Sequence, residues 1–434
     1  MLAMQKTQTA IELGAYIDAS PSPYHAVAAA VLRLEAAGFV RLEETAAWQL
    51  APGQYYVCRG ASVVAFLVPA GLAPGAGVRI IGAHTDSPNL RVKPRPNTGR
   101  AGVRQLGVEV YGGVLLNSWL DRDLGLSGRV VVRAADGGQA ELLFAFDEPL
   151  LRVPQLAIHL DREIHATGLL LNKQLHMAPI WAIGGREERG FENFLEERLG
   201  LDRGALLGWD AMLHDLTPSR LIGRDQEFLA ASRLDNLCSS YTALLALLEV
   251  AKSRTPDTIS MIALFDHEEA GSESATGAAG PLLGTIIERV LSAATGSERR
   301  EDLHRSLAAS VCCSADMAHA THPNYVDRHE ADHNLAMNAG PVIKINANLR
   351  YATNASSEVV FQRACERAGV PFQKWVNRTD LACGSTIGSI TAAKLGILTV
   401  DVGCPQLSMH SARELCGSLD PGLMARAMTE FLAE

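Results

Sequence analysis

Five short stretches place imidazole and carboxylate side chains where apolar segments stop. "IGAHTDSP" (81–88) runs into His84 and Asp86, and Pro88 ends it. "ALFDHEEAGS" (263–272) ends in Asp266, His267, Glu268 and Glu269, and "VCCSAD" (311–316) ends in Asp316. "SRLDNL" (232–237) brings Asp235, and "LGILTVDVGCPQLSMH" (395–410) reaches His410. A buried strand has no use for a His-x-Asp pair, whereas a metal site at its end does. Imidazole and carboxylate without thiolate suit zinc, manganese or cobalt in an open catalytic site. Five ligands sharing one bridging carboxylate suit two cations about 3.5–4 Å apart. Two adjacent glutamates allow one to bind metal while the other stays free as a general base.

These residues need elements that bring them to one edge. In open α/β sheets, ligands bind beyond the carboxyl ends of the strands. Apolar spacing predicts a helix over 22–39 closed by Gly38, and strands at 54–58, 62–68 and 78–83. Further strands are expected at 258–266, 308–316 and 395–403, with a helix over 232–253 that Asp235 opens as N-cap. The pattern is α/β, a mixed β-sheet sandwiched by helices. Between 95 and 220 the texture changes to Gly-punctuated, β-branched segments such as "VRQLGVEVYGGV" and "LRVPQLAIHL". The expectation is an inserted β-rich domain at 95–220, splitting the α/β domain into 1–94 and 221–434.

Bulk properties exclude other classes. Over 434 residues, 47% are apolar and 20% charged, an ordinary globular balance. A net charge of −9 argues against nucleic acid or an acidic membrane as partner. The basic run Arg91, Lys93, Arg95 reads as a solvated edge. No apolar run approaches the ~18 residues of a membrane span, and the N-terminal stretch lacks a secretory pattern. A cytoplasmic location is expected. Eight cysteines without a C-x-x-C pair make neither a disulfide framework nor a thiolate zinc cage, and Cys312 and Cys313 read as small buried residues. For His319, His322, His329 and His333, hydrogen bonding within a loop is expected over a second metal site. "GSTIG" (384–388) has Thr386 where a serine elbow needs serine, no Walker sequence occurs, and Gly75, Gly77 and Gly82 do not follow a strand.

The stretches "SPSPYHAV", "GAHTDSPNLRVKP", "VEVYGG", "WLDRDLGLSGRV", "PQLAIHL", "SRLDNL", "DHEEAGSESATGA", "DMAHATHPNY", "GPVIK" and "PQLSMHSARE" run in order through almost the whole chain. In them the sequence resembles the aspartyl aminopeptidases, a branch of the dinuclear zinc exopeptidases. The resemblance implies two divalent ions per subunit, zinc before manganese or cobalt. His84 and Asp316 would hold one ion, Glu269 and His410 the other, and Asp235 would bridge them. It implies Glu268 as general base and Asp86 as the residue orienting His84. Lys344, in "GPVIK", matches the lysine associated with an acidic side chain. The implied reaction is removal of one N-terminal Asp or Glu from a peptide. A broad-specificity aminopeptidase or a metal-dependent deacylase on the same site is the alternative. The insertion would pair subunits, and the pairs would build a homo-oligomer, a tetrahedral dodecamer. From the residues alone, His159 in "VPQLAIHLDREIH" reads as an edge-strand histidine or a third metal-binding imidazole. The resemblance instead implies that it contacts substrate in the neighbouring subunit's active site.

Overall fold

Strands Ser62–Val68, Val78–His84 and Ile259–Phe265 are buried at nearly every position, because both of their faces are covered. Alternation sorts their side chains. Val63, Ala65, Ile81, Ala83, Ile262 and Leu264 join one core, with apolar residues of helices Pro23–Ala36, Leu234–Ser253, Ala355–Ala368 and Asp420–Leu432. Val64, Phe66, Ile80, Met261 and Ala263 join a second, with helices Leu282–Thr295 and Ile387–Leu395. Cys313 falls in the first core and Cys312 in the second, both buried and free. The result is the expected sheet between helices. It is seen in a computed structural model that describes residues 2–185, 190–254 and 256–434.

This sheet has nine strands, and four adjacent ones are parallel: Ile259–Phe265, Val78–His84, Val311–Ala315 and Leu398–Gly403. Their carboxyl ends therefore open at one edge. On the far side Val342–Ile345 pairs antiparallel to Leu398–Gly403 and sets Lys344 opposite Asp401. Two expected strands start later than the sequence suggests. Residues 308 and 309 belong to helix Arg300–Ala309, whose Leu303 and Leu307 pack on the second core. Leu395 ends helix Ile387–Leu395, and Gly396 caps it in the left-handed region at φ 67°.

A six-stranded sheet draws all its strands from Asn89 to Asp215, each pair antiparallel, around a separate core that includes Leu90, Leu126, Phe144 and Leu213. "LRVPQLAIHL" is not the strand expected. After Leu151 only isolated bridges continue, Pro154 offers no N–H, and Ile158–Leu160 is an exposed 3-10 turn. Residues 186–189 of this segment lie outside the described residues. A third sheet, of five short strands, was not foreseen. It carries Pro405–Leu407 and Glu414–Gly417 and so brackets the His410 loop. No helix among the described residues is long and apolar enough to cross a membrane.

Gly403, the last residue of its strand, leaves no room for a side chain: a Cβ there would lie 1.9 Å from the Asp316 carbonyl oxygen. Gly403→Ala must push that backbone aside and is expected to cost at least about 1–3 kcal/mol. Thermal melts should show a clearly lower Tm. An unchanged Tm would contradict this packing.

Candidate active site

Each chemically active side chain stands just beyond a strand end, fixed by short-range hydrogen bonds. His84 ends its strand, and its carbonyl accepts the Ser240 hydroxyl at 2.7 Å. The Asp316 N–H donates to the Val402 carbonyl at 2.9 Å, and the Asn236 amide donates to the Ala315 carbonyl at 2.8 Å. Left-handed, non-glycine residues make three of the corners: Arg233 at φ 54°, His267 at 63° and His410 at 66°. Such strain is tolerated where a functional turn demands it. Asp235 is not a helix cap. It and Asn236 hold non-helical backbone angles inside the first turn, and the helix start carries no side-chain cap hydrogen bond.

That carboxylate faces both imidazoles. Asp235 Oδ1 lies 3.4 Å from His84 Nε2, and Oδ2 lies 3.5 Å from His410 Nε2. Asp316 Oδ1 and Glu268 Oε2 are each 3.8 Å from His84 Nε2, and Glu269 Oε1 is 3.4 Å from His410 Nε2. Both rings are oriented from behind. His84 Nδ1 is 3.0 Å from the Asp86 carbonyl and 3.3 Å from Asp86 Oδ1, and His410 Nδ1 is 3.1 Å from the Gly113 carbonyl. Acceptors stand on both sides of each ring, but those at Nδ1 are within hydrogen-bond distance and those at Nε2 are 3.4 Å or more away. A neutral ring therefore carries its proton on Nδ1, with Nε2 aimed at the carboxylates.

The cluster lacks positive charge to match its acids. Asp235 Oδ1 and Glu269 Oε1 are buried with no hydrogen-bond donor. Burial pushes the Glu268 carboxyl to about 8; His84 opposes this, while Asp316, Asp235 and Asp86 add to it. Glu269 is driven well above the usual carboxylate range by burial and by Asp235. His410 resists the lowering effect of burial and rises to about 10, through Asp235, Glu269 and Glu414. Ligand atoms of His84, Asp235 and Asp316 lie within 4.8 Å of one another, as do those of Asp235, Glu269 and His410, and those of His84, Glu268 and Glu269. Orphaned acceptors and imidazole Nε2 atoms at this spacing fit divalent cations of the zinc type.

Two supporting residues escaped the sequence reading. Glu414 is buried and accepts the Asp235 N–H at 3.0 Å and the His410 N–H at 2.7 Å, tying two distant loops together. Its spacing of four from His410 was the available signal. Tyr111 donates to Asp86 Oδ2 at 2.6 Å and carries the Arg91 guanidinium 3.5 Å over its ring, so the basic run is not wholly solvated. Asp86 also accepts the Glu268 and Glu269 N–H groups, at 3.1 Å each.

The cluster opens into a cavity of about 240 Å³ whose wall includes Glu268, Asp316, His319, Lys344, Tyr351 and Thr386. A larger cavity of about 420 Å³, beside Trp48 and Arg289, contains no member of the cluster. Lys344 is buried, with Nζ donating to the Met317 carbonyl at 3.2 Å and lying 5.0 Å from the Tyr351 ring centre. His159 is exposed on its 3-10 turn and does not line that cavity. The remaining histidines of the 319–333 stretch bond locally: the His322 N–H donates to His329 Nε2 at 3.0 Å, and His333 pairs with Glu330.

Imidazoles and acids gathered at the carboxyl ends of four parallel strands make a site of the kind that metal-dependent hydrolases use. Residues 16–432 match the family described as Aminopeptidase I zinc metalloprotease (M18), and the chain belongs to that family as a zinc-dependent aminopeptidase. It is 52% identical over 423 residues to the "Probable M18 family aminopeptidase 2" of Streptomyces coelicolor, covering 97% of this chain and 96% of the relative. A solved chain from the Ape4 and Nbr1 complex superposes with TM-score 0.94 at 36% identity, covering 99% of this chain and 86% of that one. The S. cerevisiae mApe1 dodecamer gives TM-score 0.86 at 28% identity, with 98% and 96% covered.

Proposed function

We propose that the enzyme removes a single N-terminal residue, Asp or Glu by preference, from peptides with the help of two zinc ions. The observation carrying the two-ion reading is Asp235, whose two oxygens face different imidazoles at 3.4 and 3.5 Å. In this reading His84 and Asp316 hold one ion, Glu269 and His410 the other, and Asp235 joins both. Manganese or cobalt suits the same donors. Asp86 keeps the His84 proton on Nδ1, so that Nε2 is the ligand. When bound, zinc makes water acidic near neutral pH and polarises the scissile carbonyl.

Glu268 does the proton work. It takes a proton from the attacking water as the oxygen adds to the carbonyl carbon. It gives that proton to the amine nitrogen as the C–N bond breaks. Lys344 selects the side chain: a buried ammonium beside the cavity favours a carboxylate in a charge-assisted contact. The unit 95–220 pairs subunits, and its exposed Leu156, Ile158, Leu160 and Leu170 form apolar surface that association would cover. Residues 1–94 and 221–434 form the catalytic domain. The paired subunits build a larger homo-oligomer, a dodecamer like that of the S. cerevisiae relative. Exposed on this unit, His159 reaches the neighbour's site and donates to the developing oxyanion. Free cysteines fit a cytoplasmic enzyme.

Three experiments test this reading. Glu268→Gln should keep full zinc content and lower kcat by roughly 10²–10⁴; near-normal kcat at full occupancy would remove Glu268 from the proton path. Lys344→Ala should lower kcat/KM for Asp- or Glu-anilides by about 10–150-fold, the equivalent of about 1.5–3 kcal/mol, and barely change Leu-anilide turnover. An equal fall on both substrates would make Lys344 structural. His159→Ala should cost roughly 10²–10³ in kcat without metal loss. Mixing it with Glu268→Gln after dissociation and reassociation should restore activity, because a hybrid pair has one complete site. Verified hybrids that stay inactive would refute action across subunits.

A further inference from the structure

Three consecutive residues where a strand of the six-stranded sheet ends each meet a different residue of the site. Tyr111, the last residue of strand Val103–Tyr111, donates its hydroxyl to Asp86, which in turn faces His84 Nδ1. Gly112, at φ 72°, packs on Glu269, and a Cβ there would lie 3.1 Å from Glu269 Cβ and 3.2 Å from Oε2. The Gly113 carbonyl accepts from His410 Nδ1, and a Cβ on Gly113 would lie 2.8 Å from that nitrogen. Two residues on, the Leu115 N–H donates to the His410 carbonyl at 3.1 Å. The corner is itself held, since Arg91 stacks on Tyr111 and Asn89 pairs with it across the sheet.

We propose that Tyr111, Gly112 and Gly113 are a positioning corner through which the six-stranded sheet orients both metal-binding imidazoles. Tyr111 governs the His84 side through Asp86, and Gly113 governs the His410 side directly. The inference rests on the two-ion reading above. It gives the six-stranded unit a part in metal binding beyond any part in assembly. Glycine is required at both positions because Glu269 and His410 occupy the space a side chain would fill.

The test uses the full-length protein as its intact assembly. Zinc affinities are measured by competition with a chromophoric chelator, and ligand-field spectra are recorded after cobalt substitution. Tyr111→Phe keeps the ring under Arg91 and removes only the hydroxyl; Gly113→Ala adds one methyl group. Each should weaken one of the two ions by roughly 10–100-fold, the usual effect of losing an outer hydrogen-bond partner. The two variants should perturb different cobalt bands. Val110→Ala, which loosens the same strand end without touching the cluster, should retain wild-type affinity for both ions. Wild-type affinity in Tyr111→Phe and Gly113→Ala, or an equal loss in Val110→Ala, would overturn the proposal. A wild type that takes up a single ion would overturn the two-ion reading instead. The corner would then be upheld if both variants weakened that ion and refuted if neither did.

Discussion

Asp235, Glu268, Glu269 and Asp316 crowd around His84 and His410 with nitrogen–oxygen separations of 3.4–3.8 Å. Carboxylates this close, largely removed from water, repel one another unless positive charge stands between them. Burial is the main cause of the upward push on Glu268 and Glu269, that repulsion adds to it, and attraction to the same acids raises His410. A zinc aminopeptidase answers the same charge with cations. The fold has to hold the acids apart from their own preferences so that cations are what satisfies them.

It does so with rigid ends and cross-braces. Parallel strands deliver His84, Asp316 and the Glu268–Glu269 pair to one edge without a long loop, while Glu414 fastens the two segments that come from elsewhere. The bracing acceptors are themselves saturated. Asp86, for example, faces His84 and also takes a phenol and two backbone N–H groups, so its carboxyl is held below the usual range despite burial, chiefly by His84. Within the cluster, Asp235 Oδ1 and Glu269 Oε1 are buried acceptors left without donors, and both turn toward an imidazole.

Much of this was legible in the sequence, for a physical reason. Strands buried on both faces read as continuous apolar runs, and a His or Asp directly after such a run stands out. The convergence of His84, Glu268, Glu269 and Asp316 was visible that way. His410 was harder, since it lies seven residues beyond Gly403 in a loop held by a third sheet whose strands are too short to show a period. Asp235 read both as a helix cap and as a carboxylate entering the site from a helix start, and the non-helical angles at Asp235 and Asn236 remove the first of these uses. "PQLAIHL" read as a strand because it is apolar, yet among the described residues no strand pairs with it and its side chains face outward. Tyr111 reaches Asp86 across 25 residues and Glu414 reaches Asp235 across 179, and periodicity carries no trace of such contacts.

The central claim is that Asp235 joins two cations. Crystals grown with zinc and measured at the zinc absorption edge test it most directly. The account predicts two anomalous peaks per chain, one toward His84 and Asp316 and one toward His410 and Glu269, each about 2.0–2.2 Å from an Asp235 oxygen. A single peak, or two peaks of which only one touches Asp235, would contradict it.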